Sequence, residues 1–361
     1  LTAGLTAAGV NVGSLGILPT PGIAYLTRMM NAQAGIVISA SHNPYRDNGI
    51  KIFTSQGTKL PDEIELEIEQ RLEKTELTMA TQRLGKVFSV SDAADQYISY
   101  CQSIFPSGSS LEGLKLVLDC ANGANYQVAP VIFSELGAEV VLMGDEPDGF
   151  NINENCGTTY IDALREKMLA EQADVGIAFD GDGDRVILVD SRGRVIDGDD
   201  VLYIMVHYLK HKNRLIGGIV GTAMTNFGLE LALKKMGIEF VRAQVGDRYV
   251  LKELAERNWM LGGETSGHVI CLDVATSGDG IISALQVLAA MICFDKSLDE
   301  LTQGLQKLPQ ILLNVRTQER IDLEGSLDIQ TAVKKANAQL NGKGRVLLRL
   351  SGTEPLVRVM V

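Results

Sequence analysis

Three aspartates spaced by two, Asp180, Asp182 and Asp184, stand between a short apolar run, Val175–Phe179, and a second one, Val186–Val189. On an extended chain, residues i, i+2 and i+4 face the same side, so these carboxylates are expected to converge. Gly181 and Gly183 let the intervening backbone curl without a Cβ clash. Carboxylates gathered this closely repel one another unless a cation neutralises them, and an all-oxygen donor set suits Mg²⁺. Arg185 follows directly and adds a fixed positive fork suited to phosphate. The chemistry indicated is phosphate handling on a hard cation.

An acidic loop taken alone is commonly a solvated turn. An EF-hand would require Gly at its sixth position and Glu at its twelfth, where this chain has Arg185 and Ser191. An aspartyl phosphatase also places Asp-x-Asp after a buried strand, with the first Asp as nucleophile, and these residues alone leave that alternative open.

Three further loops bear on the choice. The apolar stretch Gly35–Ile38 ejects Ser41 into the polar loop Ser39-Ala40-Ser41-His42-Asn43-Pro44. His42 is a poor base for Ser41, because adjacent side chains face opposite ways on an extended chain. Without an in-line base Ser41 reads better as a phosphate carrier than as a hydrolase nucleophile, although a lone loop Ser commonly just hydrogen-bonds its turn. Gly263-Glu264-Thr265-Ser266-Gly267-His268 packs an acid, hydroxyls and an imidazole between glycines, a set that can face sugar hydroxyls or an amine. Arg349, Ser351, Gly352, Thr353 and Arg358 gather two guanidinium groups, two hydroxyls and exposed backbone N–H groups into an anion nest. Either of these two loops could be an ordinary turn if it stood alone.

The elements that must carry these loops repeat. A strand, a loop rich in Gly, Thr, Asn or Pro, a helix and a second strand are expected at Gly16–Pro19, Ile23–Met30 and Gly35–Ile38. The order recurs at Leu116–Asp119, Ala129–Leu136 and Gly137–Val141, and again at Gly218–Thr222, Phe227–Met236 and Gly237–Val241. Alternation of this kind favours α/β layers with parallel strands. Copies roughly a hundred residues apart suggest tandem domains rather than a solenoid. Pro61 should open a helix with Ile64, Ile68 and Leu72 on one face. Asp190-Ser191-Arg192-Gly193 reads as a turn toward a third domain, and a helix Ser326–Leu340 with a strand from Arg345 as a smaller α+β unit. The expected domains are 1–90, 91–190, 191–308 and 309–361.

The chain of 361 residues is too long for one ordinary core, and 45% hydrophobic residues with a mean hydropathy of +0.09 describe a soluble globular protein. The apolar stretch Ala284–Phe294 is interrupted by Gln286 and is too short to span a bilayer. No signal peptide opens the chain, and its first residue, Leu1, reads as a fragment or processed start. A net charge of −12 argues against nucleic-acid binding. An anionic substrate must therefore be held by locally gathered Arg and Lys. Cys101, Cys120, Cys156, Cys271 and Cys293 are odd in number and form no CxxC, as suits reduced thiols in a cytoplasmic protein.

Taken together, Ser39–Pro44, Asp180–Arg185, Gly263–His268 and Arg349–Pro355 resemble the α-D-phosphohexomutase superfamily, which shows SASHNP, DGDGDR, GE-x-SGH and R-x-SGTEP in this order. Within it the chain looks most like the bacterial phosphoglucosamine mutase branch, on Asn48–Phe53, Asp119–Ala124, Glu146–Asn153, Val245–Val250 and Thr276–Gly280. Thr265 stands where that branch usually has Gln, and Leu350 where it has Pro. The resemblance covers essentially the whole chain. It implies that the branch's N-terminal FGTDGIRG segment and the end of its fourth domain lie outside this sequence.

The resemblance implies an α/β fold, three similar mixed α/β domains and a smaller α+β fourth around a central cleft. It implies a phosphoserine at Ser41 and one Mg²⁺ on Asp180, Asp182, Asp184 and a Ser41 phosphate oxygen. Arg185 should steady the phosphoryl group, and Lys51 and His268 are candidates for proton transfer. Glu264, Ser266 and Arg248 should grip the sugar, with Arg349, Ser351, Gly352, Thr353 and Arg358 on the idle phosphate. The implied reaction interconverts glucosamine 6-phosphate and glucosamine 1-phosphate through a 1,6-bisphosphate, by a monomer or homodimer whose only partner is a small sugar phosphate. A mutase acting on neutral hexose phosphates, the aspartyl phosphatase and an inactive sugar-phosphate binder are the alternatives.

Overall fold

The computed structural model describes residues 1–73, 83–317, 321–323, 325–350 and 356–361. The first part of the chain holds strands β1 (Val12–Ser14), β2 (Ala34–Ser39), β3 (Gly49–Thr54) and β4 (Val87–Ser89). β1 pairs in parallel with β4, and β2 and β3 form a separate antiparallel ribbon. The strand expected at Gly16–Pro19 lies further upstream, at β1. Gly16 instead turns the chain at φ 77, and Pro19, which has no N–H for a ladder, caps the helix Thr20–Met29. Pro61 does open a helix, Asp62–Leu72. Its apolar face is not buried, however: Ile64 is 45% and Leu72 69% exposed.

The second sheet joins β5 (Lys115–Asp119), β6 (Glu139–Met143), β7 (Val175–Phe179), β8 (Val186–Asp190) and β9 (Val195–Ile196) in the order β6-β5-β7-β8-β9. The first three run parallel; β8 pairs antiparallel with β7, and β9 antiparallel with β8. The Asp190–Gly193 turn therefore closes a hairpin within this sheet rather than leaving it. Asp190 holds that hairpin by accepting the N–H groups of Arg192 and Arg194, each at 2.9 Å. The sheet thus continues to Ile196, past residue 190, where the second domain was expected to end.

The third sheet repeats the plan with β10 (Ile219–Thr222), β11 (Phe240–Ala243), β12 (Leu261–Gly263) and β13 (Val269–Cys271), in the order β11-β10-β12-β13. Here too a parallel group ends in an antiparallel hairpin, β12–β13. The last unit is antiparallel: β14 (Leu312–Arg316), β15 (Leu347–Leu350) and β16 (Leu356–Met360), with β16 central. The helix Leu327–Leu340 crosses between β14 and β15 and is capped by Ser326, which accepts the Ile329 N–H.

One hydrophobic cluster runs from Leu26 and Phe53 through Tyr97, Leu116 and Leu188 to Leu202 and Leu288, so the first three units share a core. At its centre lies the helix Gly280–Phe294, buried at every residue from Gly280 to Met291. A strip that is apolar all round requires burial on all sides, and each Leu or Ile it buries contributes roughly 1.5–3 kcal/mol. The start of this helix also touches the aspartate loop: Gly280 donates its N–H to Gly183 O at 2.9 Å. A Cβ at Gly280 would lie 2.5 Å from Arg185 O, so this close approach requires glycine.

Candidate active site

β7 and β8 form the expected hairpin, with Phe179 opposite Val186 and the aspartate loop at its tip. The convergence of the carboxylates arises from a turn, not from an extended strand. Gly183 adopts φ 73 and donates its N–H to Asp180 O at 3.0 Å. Asp180, Asp182 and Asp184 are all buried, and their oxygens lie within 4.8 Å of one another. Burial, then repulsion from Asp184 and Asp182, pushes the Asp180 carboxyl well above its usual range. Burial works the same way on Asp184, but His268 and Lys51 outweigh it and hold that carboxyl well below its usual range. Asp182 Oδ1 and Asp184 Oδ1 are buried without a hydrogen-bond partner. Buried carboxylate oxygens gathered this closely without hydrogen bonds fit a hard divalent cation. Arg185 donates its backbone N–H to Asp180 Oδ1 at 3.0 Å, with its Nε 3.8 Å from Asp184 and 4.0 Å from Asp180.

The first unit brings Ser41 to this loop. Its Oγ lies 3.4 Å from Asp180 Oδ2. Ser41 is in the left-handed region, at φ 51, and its N–H is held by Ser39 Oγ at 2.8 Å. This turn corrects the expectation about His42. The backbone is not extended there, and His42 Nδ1 comes within 3.3 Å of Ser41 Oγ. Burial and then Arg185 lower the His42 pKa, which favours a neutral imidazole. On the ribbon, Lys51 sits opposite Val37 and extends its Nζ to Asp182 Oδ2 at 2.5 Å and Asp184 Oδ2 at 2.9 Å. Burial disfavours its charge, but Asp184 and Asp182 more than compensate and raise its pKa, so Lys51 is an ammonium. Thr20, at the start of its helix, donates to the same Asp182 Oδ2 at 2.5 Å.

The β12–β13 hairpin presents the third loop. Its placement is tight: Val186 donates its N–H to Gly267 O at 3.1 Å, and a Cβ on Gly267 would meet Val186 O. Glu264 accepts the Gly246 N–H at 3.0 Å, and Ser266 is exposed. Thr265 turns away from the loop, its Oγ1 3.1 Å from Asp199 Oδ2, a carboxyl that burial pushes up to about 7. His268 is only 3% exposed and lies between two carboxylates, Asp184 and Asp247, each at 3.5 Å. Asp247 also pairs with Lys59, and Arg248 with Asp62 at 3.0 Å, so the first and third units meet through these ion pairs.

Arg349 and Arg358 are cross-strand neighbours on β15 and β16. They line a small hollow together with Met224, Leu312, Leu347 and Met360. Ser351, Gly352 and Thr353 lie outside the described residues. The fourth unit docks on the third through Arg345, whose Nη2 donates to Ala223 O and to Thr225 O. Arg242 donates to Thr225 O as well, at 2.8 Å.

The chain matches the four domain families of the phosphoglucomutase/phosphomannomutase group in order. Domain I matches residues 1–79, domain II 95–193, domain III 197–308 and the C-terminal domain 312–361. It is 57% identical over 361 residues to a phosphoglucosamine mutase of Legionella pneumophila strain Paris, covering all of this chain and 79% of that protein. The chain belongs to the phosphoglucosamine mutases. A phosphoglucosamine mutase of Pseudomonas fluorescens is 56% identical, with all of this chain and 81% of that protein covered. The fold is shared with a phosphoglucomutase/phosphomannomutase family protein of Burkholderia thailandensis at a TM-score of 0.78 and 23% identity, covering 99% of this chain and 80% of that one. It is also shared with the Aspergillus fumigatus N-acetylphosphoglucosamine mutase solved with GlcNAc-6P and magnesium, at 0.70 and 18%, covering 94% and 88%.

Membership in the phosphoglucosamine mutases removes the aspartyl phosphatase alternative. The structure brings Ser41, Lys51, Arg185, His268 and the three aspartates into one cluster and puts Arg349 and Arg358 on a separate sheet. Sequence reasoning set His42 aside and missed Thr20, Lys59, Asn153 and Asp247, all of which reach the cluster or its borders. Thr20, between two prolines, carried no chemical signal. Asp247 lay in a quoted family stretch and could have been found there. Among the described residues, no helix is long and apolar enough to cross a membrane.

Proposed function

We propose that the chain interconverts glucosamine 6-phosphate and glucosamine 1-phosphate with Ser41 as phosphoryl carrier. The observation that carries this is the Ser41 Oγ, 3.4 Å from Asp180 in the buried carboxylate cluster. In the forward half-reaction the P–O bond to Ser41 breaks and a P–O bond to the free sugar hydroxyl forms, giving a hexosamine 1,6-bisphosphate. The hydroxyl proton leaves to a base, and the Ser41 oxygen retains the electron pair. After the bisphosphate turns over, Ser41 takes the other phosphoryl group. A magnesium ion, one per chain, on Asp180, Asp182, Asp184 and a Ser41 phosphate oxygen would supply positive charge opposite the transferring group.

Arg185 faces the same phosphoryl group and spreads its charge. Lys51, held as an ammonium by Asp182 and Asp184, supplies the proton to the sugar oxygen when a P–O bond to the sugar breaks. His268, also a candidate for proton transfer by sequence, is better suited to holding Asp184, because it is buried between two carboxylates. Glu264, Ser266 and Arg248 bind the sugar, and Arg349 and Arg358, with Ser351, Gly352 and Thr353, the idle phosphate. A cytoplasmic setting suits five cysteines that are all free, and the chain would act there as a monomer or homodimer.

The test is intact and peptide mass spectrometry for one phosphate on Ser41, followed by assay with glucosamine 6-phosphate. Ser41→Ala should remove turnover and leave the fold intact. Turnover near that of the wild type in this variant would overturn the carrier assignment.

A further inference from the structure

The Ser41 loop is held by a residue from another unit. Asn153 belongs to the segment between β6 and β7, and its side-chain Nδ2 donates to Ser41 O at 2.8 Å and to Asn43 O at 2.8 Å. Both acceptors are carbonyls, so only the amide nitrogen, with its two hydrogens, satisfies them together. Asn153 is itself left-handed, at φ 58, a conformation that Asn tolerates better than most residues. Its own N–H donates to Ala121 O at 2.9 Å, and the Ala121 N–H is held by the buried Asp119 at 2.9 Å. The amide is thereby anchored to the end of β5, the strand beside β7.

This anchoring has a chemical consequence. Ser41 sits at φ 51, where a non-glycine residue stays only if its surroundings hold it. The Ser41 carbonyl also closes against the aspartate loop, since a Cβ on Gly181 would lie 2.6 Å from Ser41 O. A phosphoryl carrier must meet its partner twice per turnover, once as donor and once as acceptor. Between those events the serine has lost the phosphate that would tie it to the carboxylate cluster.

We infer that Asn153 is a positioning residue for phosphoryl transfer: by clamping the carbonyls of Ser41 and Asn43 to the second sheet, it keeps the unphosphorylated Ser41 in line with the aspartate loop. The inference rests on the reading of Ser41 as the carrier. It predicts an effect on rate rather than on affinity, because Asn153 is not among the groups assigned to bind sugar or phosphate.

The experiment uses Asn153→Asp, which keeps the shape and turns an oxygen toward two carbonyls, and Asn153→Gly, which removes the amide and keeps the backbone freedom. Glycine adopts the left-handed conformation without cost and so protects against a failure to fold. Two quantities are read on each folded variant: kcat and KM for glucosamine 6-phosphate, and the rate at which dephosphorylated Ser41 takes phosphate from glucosamine 1,6-bisphosphate, followed by intact mass. Displacement of a reacting group by a fraction of an ångström to an ångström should cost about ten- to hundredfold in kcat and in rephosphorylation, with KM within about threefold. A simple loss of stability would lower the melting temperature without moving that split. Folded Asn153→Gly with kcat and rephosphorylation within about threefold of the wild type, or with the loss confined to KM, would overturn the inference. A wild-type protein that rephosphorylates Ser41 yet leaves glucosamine phosphates unchanged would refute the substrate reading and leave Asn153's role to be decided by the rephosphorylation rates.

Discussion

Adding a single methyl group at Gly181 should misplace Ser41 without touching any charged group. A Cβ there would lie 2.6 Å from Ser41 O, 2.6 Å from Ile152 Cδ1 and 2.7 Å from Ile152 Cγ1. The isoleucine can rotate, but the carbonyl is backbone and is held by Asn153. The aspartate loop cannot retreat either. Gly181 O accepts the Ala124 N–H at 2.8 Å, and Gly123 packs so close behind it that a Cβ on Gly123 would lie 2.3 Å from the same oxygen. An ordinary C···O contact of about 3.3 Å therefore requires the Ser41 loop to move by roughly 0.7 Å. Overpacking of this kind costs roughly 1–3 kcal/mol of stability, which a protein with so extensive a shared core should survive. The larger effect should be on rate, since misplacing a reacting atom by about 1 Å can cost about a hundredfold. In Gly181→Ala we expect kcat for glucosamine 6-phosphate to fall by about ten- to a hundredfold with KM little changed, and the rate of Ser41 phosphorylation by the bisphosphate to fall in parallel. Steady-state kinetics beside a thermal melt would check this. A folded variant with kcat within about threefold of the wild type would refute the steric reasoning.

Other perturbations have equally definite signs. Lys51 competes with a cation for Asp182 and Asp184, so Lys51→Met should bind Mn²⁺ more tightly by calorimetry while losing turnover; weaker binding would contradict the assignment. Burial pushes the Asp119 carboxyl up to about 6, against the two backbone N–H groups it accepts. Its folded pKa therefore exceeds its unfolded value, and its contribution to stability is complete below about pH 4 and lost as the pH rises through about 6, by roughly 3 kcal/mol. Asp119→Asn should thus be more damaging in urea denaturation at about pH 4 than at about pH 7.5, and a gap that widens with pH would count against this. Arg345→Ala should release the fourth unit by removing a charged donor from Ala223 O and Thr225 O, at a cost of about 1.5–3 kcal/mol. Unchanged hydrogen-exchange protection across β14 to β16 in that variant would show that docking does not depend on Arg345.

What the sequence determined by itself was local. Two apolar runs with a turn between them had to make a hairpin, and three aspartates within five residues had to lie close together whatever the fold, because five residues cannot separate them far. The repeated strand–helix–strand order held in the second and third units, where the first strand of each is buried, and slipped in the first, where Pro19 and Gly16 interrupt the ladder. The family motifs were legible for the same reason: each is one short loop. What only the tertiary structure decided is which side chains from distant segments complete those loops. Lys51 reaches Asp182 across 131 positions, Thr20 reaches it across 162, and Asn153 reaches Ser41 across 112. No periodicity encodes such pairings, since each depends on where separate sheets come to rest against a common core. The left-handed turn at Ser41 belongs to the same class. It brings His42 onto the serine hydroxyl against the alternation of an extended chain, and it persists because Asn153 and the crowded glycine at 181 leave that carbonyl no other place.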